Sequence, residues 1–334
     1  MKTTSCKEEP FMSENRICQI LNVEKPVIQG PMAWSSFAPL VAAVSNAGGF
    51  GVLGIAAAPA ALIHDQIQKN RELTDKPFGV NVFMEEPIME IATPALLEEK
   101  PAAVYADILN NLDPVLCGKY FPQFKEAGMK IIVKASTLQD AITAEKCGAD
   151  IVVAKGWEGG GHVTPESTMT LLPQIVRKLS IPVVASGGIA DGYGMAAAVA
   201  LGADGFEMGS RFLCATENTI HENAKQAIVQ AGDMQSVITS TSTFDPCRQL
   251  QNAYTDKMID LERNYPISKV ADQMRTLAKP ALKTAMHDGD IENGGVMVGM
   301  IAPLINDIKP AGEIIDSCLA ECRQVIENMS HFAF

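Results

Sequence analysis

The sequence has no long apolar stretch. No run approaches the ~18 residues of a membrane-spanning helix, and the first residues, MKTTSCKEEPF, lack the apolar core of a secretion signal. Residues 1–11 read instead as a disordered leader, or as an extension upstream of a start at Met12. Basic residues are few: 27 Lys and Arg stand against 39 Asp and Glu, for a net charge of -12. That balance argues against nucleic acid, whose phosphates must be neutralised by cations, and against an anionic membrane surface. An anionic ligand must therefore meet a local positive spot or backbone N–H groups. The eight Cys, at 6, 18, 117, 147, 214, 247, 318 and 322, include no C-x-x-C pair. Scattered through a core-rich chain, they read as reduced thiols of a cytoplasmic protein. Cys318 and Cys322 lie one helical turn apart with no evident His or Cys beside them, so no metal is expected.

A dinucleotide fingerprint is also missing from the place where it would work. Gly49 to Gly54 matches G-x-G-x-x-G, but that motif must follow a strand and open a helix. Here it follows a helical pattern and is itself strand-like. A nicotinamide would have to bind by other means.

What the chain does have is alternation. Short apolar runs at 26–30, 50–54, 78–83, 102–107, 129–135, 149–156, 181–188 and 203–210 read as strands. Most are continuous rather than alternating, as in a parallel sheet buried on both faces. Helical patterns lie between them, and several stop at a glycine: 38–47 before Gly48, 137–147 before Gly148, 192–201 before Gly202. Eight such units favour a (β/α)8 TIM barrel over an open sheet. The stretch 84–128 is the least regular. Residues 216–288 show helical patterns and no clear strand, which suggests a lid over the barrel mouth. A Gly-rich turn at 289–295 and an amphipathic helix near 310–328 then return to the barrel. The expected organisation is a barrel over 12–215, a helical substrate or lid subdomain over 216–288, and a returning segment over 289–334.

The strongest chemical feature is KGWEGGGHVT, Lys155 to Thr164, where a strand ends. The C-terminal ends of barrel strands form the active-site face. Three glycines, 159 to 161, let a ligand approach the backbone, and they deliver the imidazole of His162, which can exchange a proton near neutral pH. SGGIADG (186–192) and MGSR (208–211) follow the last two strands, where this barrel binds phosphate. QGPMAW, Asn81 and Lys134 also stand at or near strand ends.

Together QGPMAW, KPFGVN, EGGGH, TMTLLPQ, IPVVASGGIADG, MGSRF and GDIENGGVMVGMIA resemble the nitronate monooxygenase (2-nitropropane dioxygenase-like) FMN family over roughly residues 14–328. The chain looks most like its enoyl-ACP reductase II (FabK) branch. The resemblance implies FMN in the barrel mouth, with its phosphate at Gly187, Gly188, Gly209 and Ser210. It places the flavin ring against Gly30, Pro31, Met32, Ala33, Asn81, Gly160 and Gly161. Lys134 resembles a flavin-contacting Lys of the nitronate monooxygenase branch, and His162 the family's catalytic His. The implied reaction takes hydride from NADH or NADPH through FMN to a trans-2-enoyl thioester on acyl carrier protein. The other branches imply oxidation of alkyl nitronates by O2, or NAD(P)H:quinone reduction. A monovalent cation in the mouth is a further family feature, and a homodimer is the common assembly of soluble enzymes. The sequence departs from the family pattern at Thr164 and Met300, each in place of the usual residue, and in the loop DILNNLDPVLCGKYFP. A flavin-free aldolase-like barrel would use Lys134 or Lys155 as a Schiff base. A catalytically inactive binding subunit would be expected to have lost His162 or the phosphate glycines, and none is lost.

Overall fold

The computed structural model describes residues 15–331 apart from 110, 244 and 330. The leader expected over residues 1–11 lies outside them. The strands are β1 (Val27–Gln29), β2 (Phe50–Leu53), β3 (Phe78–Phe83), β4 (Ala103–Asp107), β5 (Lys130–Ala135), β6 (Ile151–Lys155), β7 (Gly161–His162), β8 (Val183–Ser186), β9 (Gly205–Met208), β10 (Ser236–Thr239) and β11 (Cys247–Leu250). The helices are α1 (Arg16–Leu21), α2 (Ala38–Asn46), α3 (Ala60–Leu73), α4 (Glu86–Glu99), α5 (Pro114–Glu126), α6 (Leu138–Lys146), α7 (Thr168–Val176), α8 (Gly192–Ala200), α9 (Ser210–Leu213), α10 (Glu222–Val229), α11 (Ala253–Asn264), α12 (Ile267–Met286) and α13 (Ala311–Met329).

Eight parallel strands close in the order β1-β2-β3-β4-β5-β6-β8-β9, with β9 pairing back onto β1. These are the eight runs read from the sequence, and the chain is a (β/α)8 barrel. Side chains alternate across a strand, so every second residue points inward. The lumen is filled by Ile28, Phe50, Val52, Ala103, Tyr105, Ile132, Ile151, Val153 and Val184, and Ile17 and Leu21 of α1 pack into the same cluster. One step of two further along the strands, the inward residues become polar: Asp107 after Tyr105, Lys134 after Ile132, Lys155 after Val153, Ser186 after Val184. The barrel thus has an apolar core and a charged floor at its C-terminal end.

The outer helices bury apolar faces against the strands. On α13, Ile314, Cys318 and Cys322 recur every four residues and are buried with Ile315. That helix packs beside α8 through Gly192, where a Cβ would stand 2.3 Å from the Cys322 backbone N. Both cysteines are core residues. Among the described residues no group of His, Cys, Asp or Glu could hold a metal ion, and no helix is long and apolar enough to cross a membrane.

Two expectations need correction. The irregular stretch 84–128 contains the regular helices α4 and α5, whose patterns are interrupted by Pro94 and Pro122. Residues 216–288 are not all helical: β10 and β11 form an antiparallel pair, and β11 continues onto β7. Local pattern hides β11 because its Cys-Arg-Gln-Leu is buried throughout. Its polar groups find partners elsewhere, as buried polar groups must. Gln249 donates to the Thr239 hydroxyl at 2.8 Å, and Arg248 donates to the Trp157 carbonyl at 3.3 Å while its guanidinium stacks over the Trp157 ring. The helices α11 and α12 pack on each other through Tyr254, Met258, Leu261, Val270 and Met274.

Candidate active site

One cavity of about 560 Å³ opens at the C-terminal end of the barrel. Its size suits a cofactor or small-molecule site. Every residue that the resemblance assigned to flavin binding or catalysis lines it. Gly30, Pro31, Met32 and Ala33 come from the turn after β1, Asn81 from β3 and Lys134 from β5. Gly160, Gly161 and His162 come from the loop after β6, Gly187 and Gly188 from the turn after β8, and Gly209 and Ser210 from the end of β9.

The three glycines before His162 act differently. A Cβ on Gly159 would meet the Lys155 side chain at 2.7 Å, and one on Gly160 the Val298 carbonyl carbon at 2.7 Å. Gly161 has φ +72°, a left-handed conformation that favours glycine. The backbone thus reverses within a wall shared with Val298–Gly299, and His162 emerges half-exposed at the cavity. Its Nδ1 stands 2.6 Å from Asp245 Oδ1. The Lys155 ammonium donates to the carbonyls of Gly160 and His162, both at 3.0 Å.

The floor is a buried charge cluster. Lys134 pairs with Asp107. Burial, and then the neighbouring Lys134 charge, push the Lys155 ammonium down to about 8. Burial raises the Glu207 carboxyl, while hydrogen bonds from Tyr105 and Ser186, each 2.7 Å, oppose it. Gly30 leaves room for that carboxyl, since a Cβ there would stand 2.9 Å from Glu207 Cδ. Asp107, Lys155, Glu207, Glu158 and Asp245 were not singled out for these places. For Asp107, Lys155 and Glu207 the signal was available: each lies inward on its strand by the two-residue alternation. Asp245 offers no such signal, because it reaches His162 through a strand pairing remote in sequence.

The glycine turns leave backbone N–H groups open to a ligand. Gly187 and Gly188 both have positive φ. Among the described residues nothing accepts a hydrogen bond from the N–H of Gly187, Gly188 or Gly209. The turn is fixed from outside by Thr168, whose hydroxyl donates to the Gly187 carbonyl at 2.8 Å. Beside it, the Glu158 carboxylate accepts from the N–H of Thr168 at 2.9 Å, at the N-terminus of α7, where the helix dipole favours an anion. The Ser210 hydroxyl accepts from the Gly299 N–H at 2.8 Å, so its oxygen braces the wall as well as facing the cavity. On the far side the cavity is apolar: Leu282 and Met286 of α12, with Leu213, Met297 and Ile301. Trp34 lines the rim at φ +61°, a strained conformation for a bulky residue.

These features have counterparts among known proteins. The family model described as nitronate monooxygenase matches residues 14–113 and 119–321. A probable nitronate monooxygenase of Staphylococcus aureus is 31% identical over 94% of this chain and 99% of its own length. The structure of FabK from Thermotoga maritima superposes with a TM-score of 0.89 at 36% identity, covering 96% of this chain and 99% of that one. A nitroalkane oxidase from Streptomyces ansochromogenes superposes with a TM-score of 0.79 at 27% identity, over 93% of this chain and 99% of that one. The chain belongs to the nitronate monooxygenase family, whose members are in general FMN-dependent oxidoreductases.

Proposed function

We propose that the protein is an FMN-dependent enoyl-ACP reductase, which uses NADH or NADPH to saturate a trans-2-enoyl thioester carried by acyl carrier protein. The residues present fit FMN: the unpartnered N–H groups of Gly187, Gly188 and Gly209 suit its phosphate on an otherwise acidic protein. Lys134 and Asn81, with Gly30 to Ala33 and Gly160 to Gly161, would border its ring. When bound, FMN supplies hydride transfer, from the nicotinamide to C3 of the enoyl group.

The protein's part is binding, orientation and proton handling. His162 stands where it can hold the thioester carbonyl and deliver the proton that C2 needs, completing the addition of one hydride and one proton. The charged floor keeps a positive Lys134 beside the reacting region, where it favours negative charge. The helix α12 closes the substrate side through Leu282 and Met286.

One observation carries the choice of substrate. The wall formed by Leu213, Leu282, Met286, Met297 and Ile301 is apolar, which suits an acyl chain. The structural likeness to FabK supports this reading. The likeness to a nitroalkane oxidase favours a second one, the oxidation of alkyl nitronates by O2 with His162 as the base. Steady-state assays of the flavin-loaded protein separate them. The expected result is NAD(P)H-dependent loss of enoyl thioester, with kcat/KM rising with acyl length. Turnover of alkyl nitronates with O2, without enoyl reduction, would overturn it.

A further inference from the structure

A two-residue strand does little to fix the side chain it carries, so the hold on His162 must come from its neighbours. Three contacts supply it. Along β11, Cys247 pairs with His162 and Arg248 with Gly161, and the Val163 N–H donates to the Pro246 carbonyl at 3.0 Å. From the barrel side, Lys155 Nζ donates to the His162 carbonyl. On the ring itself, Nδ1 meets Asp245 Oδ1 at 2.6 Å. Asp245 precedes Cys247 by two residues, so the strand that pairs with the His162 backbone also carries the carboxylate to its ring.

The chemistry of that contact selects one form of the imidazole. The hydrogen bond from His162 holds the Asp245 carboxyl below its usual range, against the smaller opposing effect of partial desolvation. An ionised carboxylate only accepts hydrogen bonds. The bonded Nδ1 must then carry hydrogen, which leaves Nε2 as the basic atom of a neutral ring. The other charged and titratable groups around His162 do not compete for the ring. Lys155 is bound to backbone carbonyls. Arg248 is turned onto Trp157, and the buried Cys247 thiol is pushed up to about 12. Among the described residues Asp245 is the only carboxylate in ion-pair contact with His162.

We propose that Asp245 is the positioning residue of His162: it fixes the Nδ1–H tautomer and aims Nε2 at the substrate. The proposal rests on the reading that His162 acts on the substrate. The Asp245 side chain is 60% exposed, so an Asn there should leave the fold intact, since exposed pairs contribute little to stability.

The test compares Asp245→Asn, Asp245→Glu and His162→Ala as flavin-loaded proteins, by imidazole nitrogen NMR and by steady-state kinetics. In the wild type the His162 ring should be protonated at Nδ1 when neutral. Asp245→Asn should give mixed tautomers and lower kcat by about 10-fold or more, with KM for the enoyl thioester within about threefold. Asp245→Glu should recover part of the loss. An unchanged tautomer and unchanged kcat in Asp245→Asn would overturn the proposal, while a large loss in His162→Ala would leave the wider reading standing. A changed tautomer with unchanged kcat in Asp245→Asn would also overturn the proposal, and unchanged kcat in His162→Ala would overturn the role of His162 as well.

Discussion

Gly160 offers a direct test of how the cavity wall is built. A Cβ added there would stand 2.7 Å from the Val298 carbonyl carbon, 2.8 Å from the Gly299 N and 2.9 Å from the Val298 Cα. All three are backbone atoms, so no side-chain rotation relieves the clash. The wall is also held by hydrogen bonds from the Met300 N–H to the Glu158 carbonyl and from the Gly299 N–H to the Ser210 hydroxyl, each 2.8 Å. Displacing the segment therefore strains both. Overpacking of this kind costs about 1–3 kcal/mol, and Gly160→Ala should lose that much in denaturant unfolding. Gly299 faces the same contact, with a Cβ 2.7 Å from the Glu158 carbonyl oxygen. Gly299→Ala should therefore cost a similar amount, and the double variant less than the sum, because the two changes relieve one shared approach. Gly118 is the reference. It lies inside α5 with no atom within 4 Å of a Cβ, so Gly118→Ala should stabilise by about 0.5–1 kcal/mol. Wild-type stability and flavin content in Gly160→Ala would refute the account of the wall.

Three further predictions concern the floor and the cavity. His162→Ala should retain FMN and lose at least about 10²-fold in turnover; wild-type turnover would remove its role. Gly188→Asp should abolish FMN retention, read as the flavin-to-protein absorbance ratio after gel filtration, because a carboxylate would occupy the phosphate turn. Lys155 is held near 8 in the folded protein against 10.5 when free, so the unfolded chain binds more protons between those values. Stability from this residue should therefore rise with pH across that window, and Lys155→Met should flatten the rise. Parallel pH–stability curves for the two proteins would contradict it.

Much of the architecture was legible because the signals were local. Each barrel strand is an apolar run bounded by turns, and the expected cavity residues sit near the end of such a run or in the loop that follows it. Local capping chemistry works the same way: the Thr137 hydroxyl accepts from the Asp140 N–H at the start of α6. The G-x-G-x-x-G at Gly49 to Gly54 was rightly set aside. A Cβ on Gly51 would stand 2.4 Å from the Val41 carbonyl oxygen, and one on Gly54 2.3 Å from that of Met32, so these glycines serve close backbone packing. What was hidden depended on distant partners. The strand β11 carries Arg248 and Gln249 in buried positions, which no periodicity rule reads as a strand, because their partners Trp157 and Thr239 lie elsewhere in the chain. The pairing of Asp245 with His162 is hidden for the same reason. The helix α5 was obscured by composition, since its segment opens with turn-forming residues and contains Pro122.

The central claim is that this barrel passes hydride from a nicotinamide to an enoyl thioester with His162 at the reacting centre. Anaerobic double-mixing stopped-flow tests it most directly: the yellow protein is reduced with NADH or NADPH and then mixed with a trans-2-enoyl thioester. The account predicts fast bleaching of the flavin by one nicotinamide, then reoxidation whose rate depends on enoyl concentration and falls sharply in His162→Ala. Flavin that resists both nicotinamides but is bleached by an alkyl nitronate would contradict it.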